Sequence, residues 1–180
     1  MKTFEEAWAE KEEQGFQYGL DALELVRLGW ELHEAGAPPP AQKRVSWPET
    51  WMTVARMLAT SRSYDPRLKV CAIVVPADNT GILALGYNGN YRGGPNEAES
   101  LVPGQSGMLH AEQNCLVKCP FHYPVAKHLY VTHSPCRQCA KLIINGNISR
   151  VVYGERYRDA SGLDLLKSAG VEVFSVEEAT

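Results

Sequence analysis

The feature that most constrains the fold is the alternation of strand and helix patterns between residues 127 and 176. Three short apolar or β-branched runs, at residues 127–133, 150–154 and 171–176, predict strands. The segments between them, 136–145 and 159–170, predict helices that end beside glycines. A crossover of about a dozen residues makes the strands that it joins parallel. We therefore expect three parallel strands in a sheet covered by helices.

Two further strands and two helices are predicted upstream of this region. Residues 69–75 and 81–87 are β-branched or apolar runs joined by a short turn, so they predict a hairpin. Ser46 and Glu49 form a capping-box pattern that begins a helix through about residue 62. Another helix is expected from His110. The predicted fold class is α/β, a three-layer α/β/α domain with a mixed sheet of five strands.

The first 45 residues are expected to form a separate unit. Residues 1–35 have a helical pattern whose apolar side chains spread over more than one face, and such a helix needs covering on two sides. The three prolines of "GAPPPAQ", residues 36–42, then favour an extended linker. We therefore predict an N-terminal helical arm and proline-rich linker at 1–45, followed by the main domain at 46–180.

Charge and composition argue against several classes of protein. The chain has 18 Lys plus Arg against 21 Asp plus Glu, so no broad cationic surface is expected for a polynucleotide, although a single nucleotide is still permitted. An apolar run of about 18 residues is missing, and the acidic start differs from a secretory signal, so we expect a cytoplasmic protein with no membrane segment. Five cysteines, an odd number, favour a reduced, metal-binding role.

Three residues at two predicted helix starts have the chemistry of a catalytic zinc site. His110 offers a nitrogen, and Cys136 and Cys139 offer two sulfurs one helical turn apart. A catalytic zinc uses three protein ligands and leaves a fourth position for water. The positive end of the second helix favours the thiolates that bind metal. Glu112 follows His110 by two residues and is suitably placed for a general acid and base beside the metal.

Each of these motifs alone permits another interpretation. A carboxylate is common at a helix start for electrostatic reasons, so His-x-Glu can be incidental. Pro-Cys-x-x-Cys also fits a redox pair or half of a structural zinc site. The two motifs together, with a predicted strand between them, favour the catalytic zinc. Cys115 and Cys119, four residues apart on one helix, are expected to be small buried hydrophobes.

The segments "HAEQN" and "SPCRQCAKLI" resemble the cytidine deaminase superfamily. Residues 50–176 are more narrowly similar to the deoxycytidylate deaminases, through "SRSYDPRLKVCAIVV", "ALGYNGNYRGG", "LYVTHSPCRQCAKLIINGNISRVVYGERYR" and "AGVEVF". This resemblance implies a cytidine-deaminase-like fold for residues 46–180. It implies hydrolytic deamination of deoxycytidine 5'-monophosphate (dCMP) to deoxyuridine 5'-monophosphate (dUMP) and ammonia, which would supply dUMP for thymidylate synthesis.

The resemblance also implies residue roles and partners. One catalytic zinc ion per chain is held by His110, Cys136 and Cys139, with Glu112 as the proton carrier. The implied substrate contacts are Asn88 for the sugar, the backbone around Ala111 and Ser134 for the base, and Arg67, Tyr157 and Arg158 for the phosphate. Arginine suits a bidentate phosphate contact. Three further cations are second choices for this contact and are termed the reserve cations: Arg62, Lys69 and Arg92. A homo-oligomer, often a hexamer, and control by dCTP or dTTP are implied as well.

Two positions differ from the family pattern, and other functions stay open. Cys71 stands where a glycine is usual, and Tyr91 stands where a proline is usual. The alternatives within enzymes are deamination of dCTP, a modified dCMP or deoxycytidine. From another class, the chain could be a non-catalytic nucleotide sensor that contains zinc. Glu112 separates these classes, because a closed structural zinc site needs no acid there.

Overall fold

The computed structural model describes residues 44–102 and 105–179, together with Glu6 and Ala9. The chain divides into two units, residues 1–44 and residues 45–180. The helical arm and linker predicted for residues 1–45 fall almost wholly outside the described residues, and this assignment therefore stays a prediction.

Five helices and five strands are described in the second unit. Their bounds, in chain order, are α1 (Trp47–Arg62), β1 (Cys71–Pro76), β2 (Ala84–Tyr87), α2 (Ala111–Leu116), β3 (Lys127–His133), α3 (Arg137–Asn145), β4 (Ile148–Glu155), α4 (Ser161–Ser168), β5 (Glu172–Ser175) and α5 (Val176–Ala179).

The strands form one mixed sheet of five, in the order β2-β1-β3-β4-β5. β1 is antiparallel to both β2 and β3, so the predicted hairpin is confirmed. β3, β4 and β5 run parallel, as the intervening helices predicted. Since β2 is antiparallel to β1, the carboxyl ends of β2, β3 and β4 lie along the same edge of the sheet.

Helices cover both faces of the sheet, which confirms the three-layer arrangement. One core packs α2, α3 and α4 against the sheet and includes Cys115, Ile143 and Leu166. The other core packs α1 and the start of α5 against the opposite face and includes Met52 and Val176. Every residue of β1 is buried, as expected for a strand covered on both faces.

Helix α1 begins with the predicted capping box. The Ser46 hydroxyl accepts a hydrogen bond from the backbone N–H of Glu49, and the Glu49 carboxylate accepts one from the backbone N–H of Ser46, at 3.4 and 3.2 Å. The Trp51 indole N–H donates to the Asn79 side chain at 2.9 Å, which ties this helix to the β1–β2 turn.

Within the described residues, we find no helix that is long and apolar enough to cross a membrane.

Helix α2 is seated directly on strand β2 at Gly86. A Cβ atom on Gly86 would lie 2.3 Å from the backbone nitrogen of Cys115 and 2.5 Å from the carbonyl oxygen of Ala111. Only glycine permits this approach. The start of α2 is therefore held at the same sheet edge at which β2 ends.

Several element bounds differ from the sequence expectation; β1 begins at Cys71 rather than at residue 69, and β2 begins at Ala84 rather than at residue 81. Helix α2 ends at Leu116, so Cys119 lies beyond the helix that it was expected to share with Cys115.

The final strand ends at Ser175 rather than at residue 176. Val176 instead begins the short helix α5, where its side chain is buried in the core under α1. An apolar residue at a strand end fits either element, and the packing of α1 decides between them.

Candidate metal centre and substrate cleft

The three predicted metal ligands lie together. The Nδ1 atom of His110 is 3.6 Å from the Cys136 sulfur and 3.4 Å from the Cys139 sulfur. The ligand atoms of all three residues lie within 4.8 Å of one another. One nitrogen and two sulfurs are a donor set that zinc binds with tetrahedral geometry, leaving the fourth position for water. The residues present therefore fit a catalytic zinc ion.

Two helix starts bring these ligands to one point. His110 is the N-cap residue of α2, and Cys136 is the N-cap residue of α3. Cys139 lies in the first turn of α3 and is almost fully buried. The backbone N–H of His110 donates to the Gln113 side chain at 2.7 Å, which fixes the entry into α2. The ligands are thus fixed by helix caps rather than by a mobile loop.

The ligand sulfurs have perturbed pKa values. The pKa of the Cys136 thiol is lowered to about 3, because Cys139 and His110 donate hydrogen bonds that stabilise its thiolate. The same hydrogen bond to Cys136, together with burial, raises the pKa of Cys139. The hydrogen bond to Cys136 also raises the pKa of His110. The three ligand side chains therefore lie close enough to share protons with one another.

Glu112 is buried beside this group, with 4 % of its surface exposed. Desolvation raises the pKa of its carboxyl group, and hydrogen bonds from its own backbone N–H and from Cys139 oppose that effect. A carboxyl group whose pKa is raised accepts and holds a proton more readily than an exposed one. Glu112 therefore has the position and the environment that proton transfer needs.

A cleft of about 610 Å³ opens above these residues. Its volume is in the range typical of small-molecule sites. It lies at the carboxyl ends of β2, β3 and β4, where ligands bind in open α/β sheets. His110, Glu112 and Cys136 line one part of it, and Leu101 and Val102 line another.

Asn88 lies in this cleft and is tied to the start of α2. Its side-chain oxygen accepts a hydrogen bond from the Ala111 N–H at 2.9 Å, and its nitrogen donates to the Leu68 carbonyl at 2.9 Å. One N–H and one lone pair of the amide are left for a ligand. The Ala111 N–H, by contrast, is already used within the chain, and the Ala111 side chain is fully buried.

Ser134 joins the base of the cleft to its outer rim. Its backbone N–H donates to the Glu155 carbonyl at 2.8 Å, and its hydroxyl accepts from the Tyr157 N–H at 2.7 Å. These two hydrogen bonds hold the segment after β4 against the turn that leads into Cys136. The predicted base contact and two of the predicted phosphate contacts are therefore in one connected part of the site.

The predicted phosphate residues also line the cleft. Arg67 and Arg158 are exposed, and the Arg158 guanidinium lies 5.6 Å from the centre of the Tyr157 ring. The Asp65 carboxylate accepts the backbone N–H of Arg67 at 2.8 Å and so shapes the turn that presents this residue.

The reserve cations and the two unusual residues lie elsewhere. All five residues fall within the described ranges, and none of them lines the cleft. They are the reserve cations Arg62, Lys69 and Arg92 and the unusual residues Cys71 and Tyr91. The Lys69 ammonium instead donates to the Ser63 carbonyl at 3.2 Å.

His133 is a cleft residue that the sequence analysis did not select. It ends β3 beside Ser134, and its imidazole Nε2 lies 3.2 Å from the Glu155 carboxylate. Its side chain is 17 % exposed. The signal that could have found it is its position at the carboxyl end of a parallel strand, where ligand-binding residues collect.

The remaining thiols lie outside the ligand group. Burial raises the pKa of both Cys71 and Cys115 to about 12. Cys119 is half-buried, and desolvation raises its pKa as well. The expectation of a buried small residue is confirmed for Cys115, and Cys119 is only partly covered.

Comparison with known proteins connects this site to a family. Residues 45–155 match the model of the cytidine and deoxycytidylate deaminase zinc-binding region. ComE operon protein 2 of Bacillus subtilis is 37% identical over 142 residues, which cover 75% of this chain and 74% of that protein. Human deoxycytidylate deaminase is 32% identical over 128 residues, 64% of this chain and 69% of that one.

A solved deaminase structure is also similar to this chain in fold and sequence. The dCMP deaminase from the cyanophage S-TIM5, in complex with dCMP and dUMP, has a TM-score of 0.64 and 36% sequence identity. The match covers 74% of this chain and 99% of the cyanophage chain.

Proposed function

Because the chain belongs to the cytidine and deoxycytidylate deaminase family, we propose that it catalyses the zinc-dependent hydrolytic deamination of dCMP to dUMP and ammonia. One observation carries the proposal: the buried Glu112 carboxylate lies beside the His110, Cys136 and Cys139 group, at the inner end of an open cleft. The names of the human and cyanophage relatives support dCMP as the substrate.

His110, Cys136 and Cys139 would hold one zinc ion per chain. Zinc in such a site lowers the pKa of water to about 7 and so supplies a hydroxide nucleophile at neutral pH. The grouping of one nitrogen and two sulfurs within 4.8 Å of one another supports this assignment, because zinc binds that donor set. Three protein ligands also leave room for the water that hydrolysis consumes.

Glu112 would move the protons of the reaction. Its carboxylate takes a proton from the attacking water and delivers it to N3 of the cytosine ring, as a new C–O bond forms at C4. It then passes the second proton of the water to the departing amine, so that the C–N bond breaks and ammonia leaves. Burial supports this role, because the raised pKa makes the carboxylate a stronger proton acceptor than an exposed glutamate.

The other cleft residues would bind and orient the nucleotide. Asn88 would use its free N–H and lone pair on the sugar, and the backbone around Ala111 and Ser134 would border the base. Arg67, Tyr157 and Arg158 would hold the 5'-phosphate at the rim, where a guanidinium can bind two phosphate oxygens. A positioned ring reacts faster, because orientation removes part of the entropic barrier.

Other properties of the family belong to the same proposal. We infer a cytoplasmic enzyme that supplies dUMP for thymidylate synthesis, assembles as a homo-oligomer, with a hexamer as one form, and responds to dCTP or dTTP. Residues 1–45 would form a helical arm separate from the deaminase domain at 46–180. Deamination of dCTP, a modified dCMP or deoxycytidine is the alternative activity, since the rim that selects the phosphate is exposed.

An ammonia-release panel tests the proposed function. Purified protein with a measured zinc content is given deoxycytidine, dCMP and dCTP in turn, with and without dCTP or dTTP as an effector. We expect the highest kcat/KM for dCMP and about one zinc per chain. Zinc-loaded protein that releases no ammonia from any of these substrates would instead favour the nucleotide sensor.

A further inference from the structure

The first residue of β3, Lys127, is a buried cation that the proposed mechanism does not use. Its surface is 2 % exposed. Its ammonium donates three hydrogen bonds to backbone carbonyl oxygens, those of Pro120 at 3.0 Å, Phe121 at 3.1 Å and Gly146 at 2.7 Å. An ammonium has three donors, so each of them has a partner. A buried charge needs such compensation, since burial without partners is costly.

One of these carbonyls belongs to the C-cap of a helix, and the other two lie in the segment that follows another helix. Pro120 and Phe121 belong to the segment that leaves α2, and Gly146 is the C-cap residue of α3. The last carbonyls of a helix lack partners within the helix, and a cation beside them is favourable. The ammonium of Lys127 therefore joins the C-cap of α3 to the connecting segment that follows α2.

The two helices also touch at this end. A Cβ atom on Gly146 would lie 3.2 Å from a terminal methyl carbon of Leu116, the last residue of α2. The opposite ends of the same helices carry His110 and the cysteine pair. Since α3 has nine residues and is only about 13 Å long, a shift at its end is transmitted to its start.

We propose that Lys127 is a positioning residue for the metal centre. By joining the C-cap of α3 to the segment that follows α2, beside the contact between Leu116 and Gly146, it sets the relative orientation of the helix starts at which His110, Cys136 and Cys139 meet. This inference rests on the metal site of the proposed function. Residues that hydrogen-bond directly to metal ligands change metal affinity by about 10- to 100-fold when they are replaced, and a residue that acts through two helices should reach only the lower end of that range.

The test compares metal release from zinc-loaded full-length wild-type protein and its variants. Lys127→Met keeps most of the length of the side chain but removes all three donors. The matched control is Val152→Ala, which removes apolar contacts of a fully buried residue in the other core, under α1. The rate of zinc transfer to an excess of a coloured chelator is measured at a temperature where circular dichroism shows each protein folded.

We expect zinc release to be about tenfold faster for Lys127→Met than for the wild type, and to change by less than about twofold for Val152→Ala. Lys127→Arg keeps the charge, so its zinc release rate should lie between those of Lys127→Met and the wild type. If Lys127→Met does not fold, Lys127→Gln takes its place in the comparison with Lys127→Arg. Equal release from the Lys127 variants and from Val152→Ala, at matched thermal stability, would overturn the proposal.

The result is separable from that of the proposed function, because zinc transfer does not depend on deamination. A wild-type protein that holds zinc but leaves dCMP unchanged would contradict the proposed reaction and still permit the Lys127 comparison. A wild-type protein that holds no zinc would overturn both.

Discussion

The two ends of the cleft are built in different ways. At the inner end, His110, Cys136 and Cys139 come from helix starts, and Glu112 is buried beside them. At the outer end, the candidate phosphate residues are on connecting segments, and both arginines are exposed. The helix starts are held by the packed core, whereas loops tolerate substitution more readily. The residues that would carry out the reaction are therefore held more rigidly than the residues that would select the substrate.

Removal of a metal ligand should give the largest effect. Cys139→Ala takes one sulfur from the ligand group, so we expect zinc to be lost and ammonia release to fall to the level of a blank. Cys119→Ala is the control, because that thiol is half-buried outside the group. Metal content is measured by atomic absorption, together with the rate on dCMP. A variant that keeps both its zinc and its activity would show that Cys139 is not a ligand.

Replacement of the buried carboxylate should give the next largest effect. Glu112→Gln keeps the shape of the side chain but cannot accept a proton, so kcat should fall by about 10²- to 10⁴-fold while zinc is retained. Glu172→Gln makes the same change at an exposed residue of β5 and should leave kcat unaffected. Single-turnover measurements with both variants check this. Substantial turnover by Glu112→Gln would assign the proton transfer to another group.

Changes at the outer end should be smaller and should depend on the substrate. Arg158→Ala removes a charged hydrogen-bond donor, which is worth about 1.5–3 kcal/mol, so kcat/KM for dCMP should fall by about 10- to 100-fold. The value for deoxycytidine should hardly change, because the nucleoside has no phosphate. Arg62→Ala removes a reserve cation that does not line the cleft, and it should leave both substrates unaffected. Equal losses on dCMP and deoxycytidine for Arg158→Ala would contradict a phosphate role.

The fold was predictable because the relevant signals are local in sequence. Apolar runs at 127–133 and 150–154 with a helix between them require parallel strands, and the structure has that pairing. The gathering of His110 with Cys136 and Cys139 follows in turn, since all three stand at helix starts along one sheet edge. Short-range patterns thus carried both the architecture and the ligand group.

Other parts of the site depend on contacts between distant residues, which no local pattern specifies. The pairing of His133 with Glu155 joins side chains 22 residues apart that meet only after β3 and β4 are in register. The hydrogen bond between Asn88 and the Ala111 N–H likewise depends on how α2 is seated at Gly86. The three acceptors of Lys127 are backbone carbonyls, which any sequence would supply.

Burial divides the five cysteines by reactivity as well as by position. At neutral pH Cys71 and Cys115, whose pKa values are about 12, are almost entirely unionised and inaccessible to an alkylating reagent. Among the described cysteines, Cys136, which lines the cleft, is therefore expected to react fastest. A metal ion bound to its sulfur would block this reaction. Iodoacetamide labelling, measured by mass spectrometry, would then report the fraction of a preparation that carries its metal. Cys71 and Cys115, which should stay unlabelled, serve as internal controls.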